Sequence, residues 1–183
     1  MERLRREYPL RIRWVAFPLR PDTPDEGTPM AAILEERGLD PAVVQANLER
    51  AAASCGVPFG KRTHTYNSRR ANELGKWAEL KGKRDAFDAA VFRAFFVERK
   101  NIALEEVLRE IAAEAGLDPE EAADVLKKGT FRDAVLQDWD YSARCGIVAA
   151  PTYRMGTHRL VGAHPYERLA AFVEKAGCRK RSP

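Results

Sequence analysis

The sequence predicts an α/β protein in which one strand, a long series of helices, a hairpin and a last helix follow in order. Leu10, Ile12, Trp14 and Ala16 stand at every second position, with Arg11 and Arg13 on the opposite face, which is typical of a strand with one buried face. Apolar residues then recur at helical spacing through roughly 130 residues. Short apolar stretches return at Pro151–Met155 and Arg159–Val161, on either side of a Gly156-Thr157 turn. Because strands and helices do not alternate, a doubly wound sheet is excluded.

The segment before the first strand has the character of a helix end. Residues Met1 to Tyr8 resemble the last turns of a helix that Pro9 breaks. Pro18 stops the strand, and the Pro- and Asp-rich stretch from Arg20 to Pro29 predicts a loop. A strand at this position needs a neighbour. We therefore expect residues 10–17 to pair with the strand at Pro151, to pair with another chain, or to remain unpaired.

Helix boundaries are marked by capping residues. Asp40-Pro41 predicts a helix start, and that helix should run to about Ser54. Asn67 can cap a second helix that Gly82 ends. A third, from Asp85 to Arg99, carries enough phenylalanine to predict burial on two sides. Further helices are predicted over Leu104–Ala115, Asp118–Lys128 and Phe131–Cys145, and after Pro165.

Composition excludes several classes of function. The 183 residues are 45% hydrophobic and 32% charged, with a net charge of +4 whose positive residues are scattered among acidic ones. A nucleic-acid binder usually concentrates its positive charge, so no nucleic-acid partner is expected. The basic run Arg179–Arg181 is expected to be a solvated terminus. No apolar run suits a membrane span or a secretory signal, which makes a cytoplasmic protein the default expectation.

The cysteines and histidines predict neither a disulfide framework nor a metal centre. Three cysteines are present, and no two of them form a C-x-x-C pair. Cys145 and Cys55 are expected to be buried at helix ends, and Cys178 to be exposed near the tail. The three histidines share no metal-ligand spacing, so no metal is expected.

Several stretches resemble the DsbA-type thioredoxin-fold oxidoreductases. The subfamily includes FrnE-like proteins and is related to 2-hydroxychromene-2-carboxylate isomerases and kappa-class glutathione transferases. Five stretches, which follow the family's order through nearly the whole chain, carry the resemblance: FPLRPDTPDEG (17–27), YNSRRANELGKWA (66–78), FRAFFVERKNI (92–102), EEVLREIAAEAGLD (105–118) and GIVAAPTYRMGTHRLVGAHPYERL (146–169). The resemblance implies a thioredoxin-like core formed by residues 1–27 and 129–183, with an inserted all-helical domain at 28–128. It also implies that the first strand and most of the first helix of that core are absent.

The resemblance implies a redox dithiol that this sequence does not contain. In the family, the first strand leads into a helix whose N-terminus holds C-x-x-C, where the helix dipole favours a thiolate. Residues 2–8 resemble the end of that helix, and a strand plus a helix needs roughly 20–25 residues. The dithiol is therefore expected upstream of Met1, and no catalytic residue is expected within the sequence.

Three hypotheses about function remain open at this stage. In the first, the start site is miscalled and the whole protein is a thiol–disulfide oxidoreductase that acts on protein or small-molecule thiols. In the second, the chain is a true truncation retained as a binding module. In the third, a serine replaces the first cysteine, and the protein is a glutathione-dependent isomerase or transferase. No cofactor is expected beyond glutathione as a substrate or ligand, and the oligomeric state is open, a homodimer included.

The resemblance also implies where substrate binds. Residues 149–152, AAPT, match the family's cis-proline loop, so Ala150, Pro151 and Thr152 are expected to contact a substrate peptide or glutathione. His164, before Pro165, is expected either to help hold a glutathione-like carboxylate or to cap the last helix. Asn67 and Ser68 are expected to line a cleft between the two domains, to cap a helix, or both.

Overall fold

The structure, a computed structural model, describes residues 1–181 and divides into two compact units. The terminal unit comprises Met1–Leu19 and the residues from Asp138 onward, and the central unit comprises Arg20–Gln137. The domain boundaries expected after residues 27 and 128 remain a prediction. In chain order the elements are α1 (Glu2–Glu7), β1 (Thr28–Pro29), α2 (Met30–Glu36), α3 (Pro41–Ser54), β2 (His64–Thr65), α4 (Arg69–Leu80), α5 (Arg84–Phe96), α6 (Glu105–Glu114), α7 (Pro119–Lys128), α8 (Arg132–Arg144), β3 (Thr152–Met155), β4 (His158–Val161) and α9 (Tyr166–Lys175).

Local capping chemistry sets the helix ends of the central unit as predicted. Asp40 accepts hydrogen bonds from the N–H groups at the start of α3, and Asp118 does the same for α7. Gly82 and Gly116 follow α4 and α6 with positive φ, which suits glycine. The predicted all-helical segment also contains one two-residue pairing, β1 with β2, which is too short to leave a periodic pattern.

Helices α4 to α7 enclose the core of the central unit. Its fully buried members include Leu74, Phe87 and Leu108. The prediction that α5 is buried on two sides is wrong, because Phe92 is 60% exposed. Phe92 lies five residues after Phe87, which places the two side chains about 140° apart around the helix. Only the Phe87 side of α5 faces this core.

In the N-terminal segment the predicted helix is confirmed, whereas the predicted strand is not formed. Residues 2–7 form α1 and Tyr8 ends it, whereas residues 10–17 belong to no sheet. Burial alternates only at the start of this segment, where Leu10 and Ile12 are half-buried and Arg11 and Arg13 are exposed, while residues 14–17 are all half-buried. The predicted strand is therefore wrong as an assignment, because residues 10–17 join no other strand of the described chain. A period of two reports which side chains face inward, but it does not supply a neighbouring strand.

A small core joins the two ends of the chain in the terminal unit. Leu4 and Tyr8 pack with Leu169 and Val173 of α9, and the predicted hairpin β3–β4 packs beside them. The Tyr8 hydroxyl donates to Glu174 Oε1 over 2.5 Å. This hydrogen bond, and to a lesser extent burial, raises the pKa of Tyr8 to about 12. No helix within residues 1–181 is long and apolar enough to cross a bilayer.

The basic run Arg179–Arg181 is exposed, as a solvated terminus would be, and its last two residues are also bonded to α1. Lys180 Nζ lies 2.6 Å from Glu7 Oε2, and the backbone N–H of Arg181 donates to the carbonyl of Glu7. Tyr166 also donates to Glu7 Oε2 (2.5 Å), and Arg3 donates to Oε1 (2.8 Å). These bonds, that from Lys180 foremost, lower the pKa of Glu7 from 4.5 to about 2.

Replacing Glu7 should therefore make the free energy of unfolding less dependent on pH in the acidic range. A carboxyl whose pKa is lower in the folded state stabilises the fold fully above its unfolded pKa of 4.5, and that contribution is lost as pH falls towards 2. We expect the urea midpoint of wild type to exceed that of Glu7→Gln at neutral pH and to converge with it between pH 4.5 and pH 2. Glu2→Gln controls for net charge, and a constant gap between wild type and Glu7→Gln across this range would contradict the prediction.

Candidate functional site

The loop between α8 and β3 is an exposed part of the terminal unit. Val148 is 86% exposed, and Ala150 and Pro151 are exposed as well. The Ala150–Pro151 peptide bond is cis. Two internal hydrogen bonds hold the loop: Thr152 Oγ1 donates to the Ala149 carbonyl over 2.6 Å, and the Gly162 N–H donates to the Pro151 carbonyl over 2.8 Å. The loop is thus fixed on both sides of Ala150.

Ala150 itself keeps its backbone groups available. Within residues 1–181, neither its N–H nor its carbonyl has a hydrogen-bond partner. An exposed N–H and C=O on a fixed loop can pair with the backbone of an extended peptide, as an added strand would. The ligand-binding roles of Ala150, Pro151 and Thr152 all stay predictions.

Cys145 lies just after α8 among three polar groups that the sequence analysis did not single out. Arg154 Nη1 is 3.1 Å from Cys145 Sγ and donates to the Tyr141 hydroxyl over 2.6 Å. Arg159 donates to the carbonyls of Cys145 and Gly146. The expectation of a buried thiol is wrong, because these polar neighbours leave Cys145 half-buried.

The other two cysteines also differ from expectation, and all three are free thiols. Cys55 is exposed, because α3, which it follows, has no buried residue. Cys178 is half-buried against the core of the terminal unit, because the tail is tied to α1. Sequence position alone therefore did not predict their exposure.

His164 precedes α9 but does not cap it. Its Nε2 lies 2.8 Å from the carbonyl of Val161, to which it donates, and Pro165 occupies the N-cap position without a side-chain bond. The capping hypothesis is wrong because the ring turns back towards β4. The role of His164 in holding a carboxylate stays a prediction.

Asn67 and Ser68 belong to the central unit. Asn67 Oδ1 accepts from the N–H of Arg69 at the start of α4, as a cap does (3.0 Å). Its Nδ2 donates to the carbonyls of Pro21 and Thr23, at 3.2 Å and 2.9 Å. The capping role is thus seen, and both ends of the amide are used within the unit. Ser68 is exposed and makes no side-chain cap bond. Ligand binding by either residue remains a prediction.

Two buried carboxylates are absent from the sequence prediction. Asp138 and Glu73 are each 2% exposed. Burial raises the pKa of Glu73, whose nearest cation, Arg69 Nε, is 3.6 Å away. One signal was available, since Glu73 stands one helical turn before the buried Trp77. Within residues 1–181 no three side chains of the metal-ligating kinds come together as a metal site would require.

Comparison with known proteins identifies the class. The sequence matches the DSBA-like thioredoxin domain over residues 1–174, and the chain therefore belongs to this family of thiol–disulfide oxidoreductase type. Among individual relatives, the uncharacterized protein YwbO of Bacillus subtilis is 27% identical over 159 residues, which are 83% of this chain and 75% of YwbO.

Solved structures agree with the assignment. The crystal structure of a probable DsbA oxidoreductase from Streptomyces coelicolor superposes on this chain with a TM-score of 0.79. The match covers 86% of this chain and 71% of that protein, and the two sequences are 26% identical. A candidate protein disulfide isomerase from Nitrosomonas europaea, 20% identical, superposes with a TM-score of 0.61 over 73% of this chain and 72% of its own, and shows the fold alone. The resemblance and the DsbA-like thioredoxin fold with helical insertion are confirmed.

Proposed function

We propose that this chain provides the substrate-binding loop of a thiol–disulfide oxidoreductase that acts on protein or small-molecule disulfides. One observation carries the proposal: Ala150 presents an unpaired N–H and an unpaired carbonyl on an exposed, internally fixed loop. An extended substrate segment can hydrogen-bond to both groups, which would hold its cysteine in a defined register. Membership of the DSBA-like family and the similarity to a probable DsbA oxidoreductase support the same conclusion.

The proposed chemistry requires a redox dithiol, and the given sequence contains no C-x-x-C pair. A thiolate attacks one sulfur of the substrate disulfide, forms a mixed disulfide and releases the other substrate sulfur as a thiolate. The second thiol of the pair then attacks the mixed disulfide, so the substrate leaves reduced and the dithiol becomes a disulfide. In this scheme Ala150 holds the substrate backbone, and Thr152 keeps the loop in shape through its bond to Ala149. No cofactor is proposed, and glutathione would enter only as a substrate.

The DNA upstream of Met1 separates the three functional hypotheses. An in-frame C-x-x-C supports the oxidoreductase. An in-frame S-x-x-x, with glutathione-dependent conversion of 2-hydroxychromene-2-carboxylate, would instead support the isomerase. A nearby in-frame stop codon would support a binding module, and it would contradict the proposed reaction.

Reduction of insulin by dithiothreitol tests the proposed activity directly. We expect the extended, C-x-x-C-containing protein to accelerate insulin precipitation, and the 183-residue chain to leave the rate at that of dithiothreitol alone. The matched control is the extended protein with both cysteines of the motif changed to serine, which should behave like the short chain. Acceleration by the short chain would show that the nucleophile lies within it. Failure of the extended protein would contradict the proposed function.

A further inference from the structure

We propose that the central unit carries a docking surface for an extended, apolar peptide segment that contains a carboxylate. The surface, called here the aromatic face, consists of Phe59, Phe92 and Phe96 together with Arg62. Its occupant is a segment of a partner protein in which Asp or Glu stands between aromatic or aliphatic residues. The proposal does not depend on thiol–disulfide exchange, and its test uses no redox readout.

The three phenylalanines form one continuous apolar surface. Phe92 and Phe96 have ring centroids 5.7 Å apart, and the Phe59 ring lies 6.0 Å from that of Phe96, stacked in both cases. Phe92 is 60% exposed, and the other two are half-buried. Single exposed apolar side chains are ordinary on a protein surface, whereas contiguous apolar patches mark sites of interaction.

The backbone beneath the aromatic face is held in place. The N–H of Gly60 donates to the carbonyl of Phe96 over 2.8 Å, which attaches the Phe59 segment to the end of α5. A Cβ at Gly60 would lie 2.9 Å from the carbonyl oxygen of Val97, so the approach is as close as glycine allows. Because this backbone is already fixed, ligand binding costs little additional conformational entropy.

Arg62 supplies a cation that the described chain does not neutralise. Its guanidinium carbon lies 4.9 Å from the ring centroid of Phe95 and 5.4 Å from that of Phe96, and Nη2 lies 3.5 Å from Met30 Sδ. No carboxylate among residues 1–181 pairs with it, and burial lowers its pKa. A partly buried guanidinium without a counter-charge is unfavourable, and a carboxylate brought by a ligand would offset that cost through two parallel hydrogen bonds.

The combination of groups selects the chemistry of the occupant. A small anion would neutralise Arg62 but leave the rings in water, and a purely apolar segment would cover the rings but leave the guanidinium without a counter-charge. A peptide with one carboxylate beside apolar side chains satisfies both at once. Met30, next to Arg62, can adjust its shape to such a ligand, because its side chain is flexible.

Fluorescence anisotropy with two labelled peptides tests this surface. The first peptide has alternating Phe and Leu with one central Asp, and the second has Asn in place of that Asp. We expect wild type to prefer the Asp peptide about tenfold, since a hydrogen bond between charged groups contributes that much or more. Arg62→Gln should abolish the preference. Phe92→Ala should lower the affinity for both peptides about threefold or more.

Leu80→Ala is the matched control, because Leu80 is an apolar residue of the central unit that is even more exposed than Phe92 (76% against 60%) and lies outside the aromatic face. It should leave both affinities unchanged. Failure of wild type to bind either peptide, equal affinity for both, or equal weakening by Leu80→Ala would overturn the proposal. So would concentration-dependent dimerisation that Phe92→Ala abolishes, since the occupant would then be a second copy of the chain. None of these outcomes depends on insulin reduction. The docking surface and the oxidoreductase function can therefore be refuted independently of each other.

Discussion

Phe87→Ala should lower the free energy of unfolding by about 3–5 kcal/mol, whereas Phe92→Ala on the same helix should cost less than about 1 kcal/mol. The two residues are chemically identical and five positions apart. Phe87 is 1% exposed and Phe92 is 60% exposed. The pair therefore isolates the effect of burial from that of residue type.

The large effect follows from where the Phe87 ring lies. It belongs to a core in which Leu74 and Leu108 have no exposed surface, and α5 packs between α4 and α6. Removing the ring loses its transfer free energy and leaves a cavity, because helices on both sides prevent full collapse. At Phe92 the removed ring faces solvent and α5 keeps a good helix former, so little is lost.

Urea unfolding followed by circular dichroism measures both variants. The helical signal of the central unit reports the loss directly, since α4 to α7 all lie within it. Similar costs for the two substitutions would show that α5 is buried on both sides, as the sequence had suggested. A folded Phe92→Ala is also what the peptide-binding experiment requires.

The features that the sequence predicted well are those decided by neighbours in the chain. Asp40 and Asp118 start helices because a carboxylate accepts from the free N–H groups two and three residues later. Gly82 ends a helix because it adopts a positive φ without steric cost. These interactions span a few residues, so a linear pattern contains them completely.

The features that the sequence missed depend on distant partners. Residues 10–13 alternate in burial as a strand does, but the segment 10–17 also meets residues more than a hundred positions away, such as Asp138. The pairing of Thr28 with Thr65 leaves no periodic signal, because it is only two residues long. The orientation of Phe92 depends on which sides of α5 have neighbouring helices.

The candidate site divides in the same way. The loop at Ala150 was located through the family resemblance, and composition or spacing alone would not have distinguished it from any other proline-containing turn. Arg154 and Tyr141 beside Cys145 were missed, because arginine and tyrosine on a hairpin and a helix are usually solvated. Asp138 was missed for the same reason, since a charged residue on an amphipathic helix is normally assigned to its outer side.

Asp138→Ala should lower the free energy of unfolding of the terminal unit by about 1.5–3 kcal/mol. Asp138 is 2% exposed, and its Oδ2 accepts from the backbone N–H of Ala16 over 2.8 Å. Its Oδ1 accepts from Arg13 Nη2 over 3.1 Å. The Arg13 side chain is 65% exposed and returns to water at little cost, so most of the loss comes from the partly buried N–H that is left without an acceptor.

The same substitution should release residues 10–17, because the bond from Ala16 to Asp138 fixes a segment that no sheet holds. Limited digestion with trypsin should then cleave after Arg11 and Arg13 faster in Asp138→Ala than in wild type. Asp138→Asn keeps one acceptor oxygen, so its cleavage rate should lie between those of wild type and Asp138→Ala. Asp140 is an exposed residue of α8 close to Asp138, and Asp140→Asn should be cleaved at the wild-type rate. Unchanged cleavage in Asp138→Ala, with the urea midpoint lowered, would show that the segment is held by side-chain packing of Leu10 and Ile12 and not by the buried carboxylate.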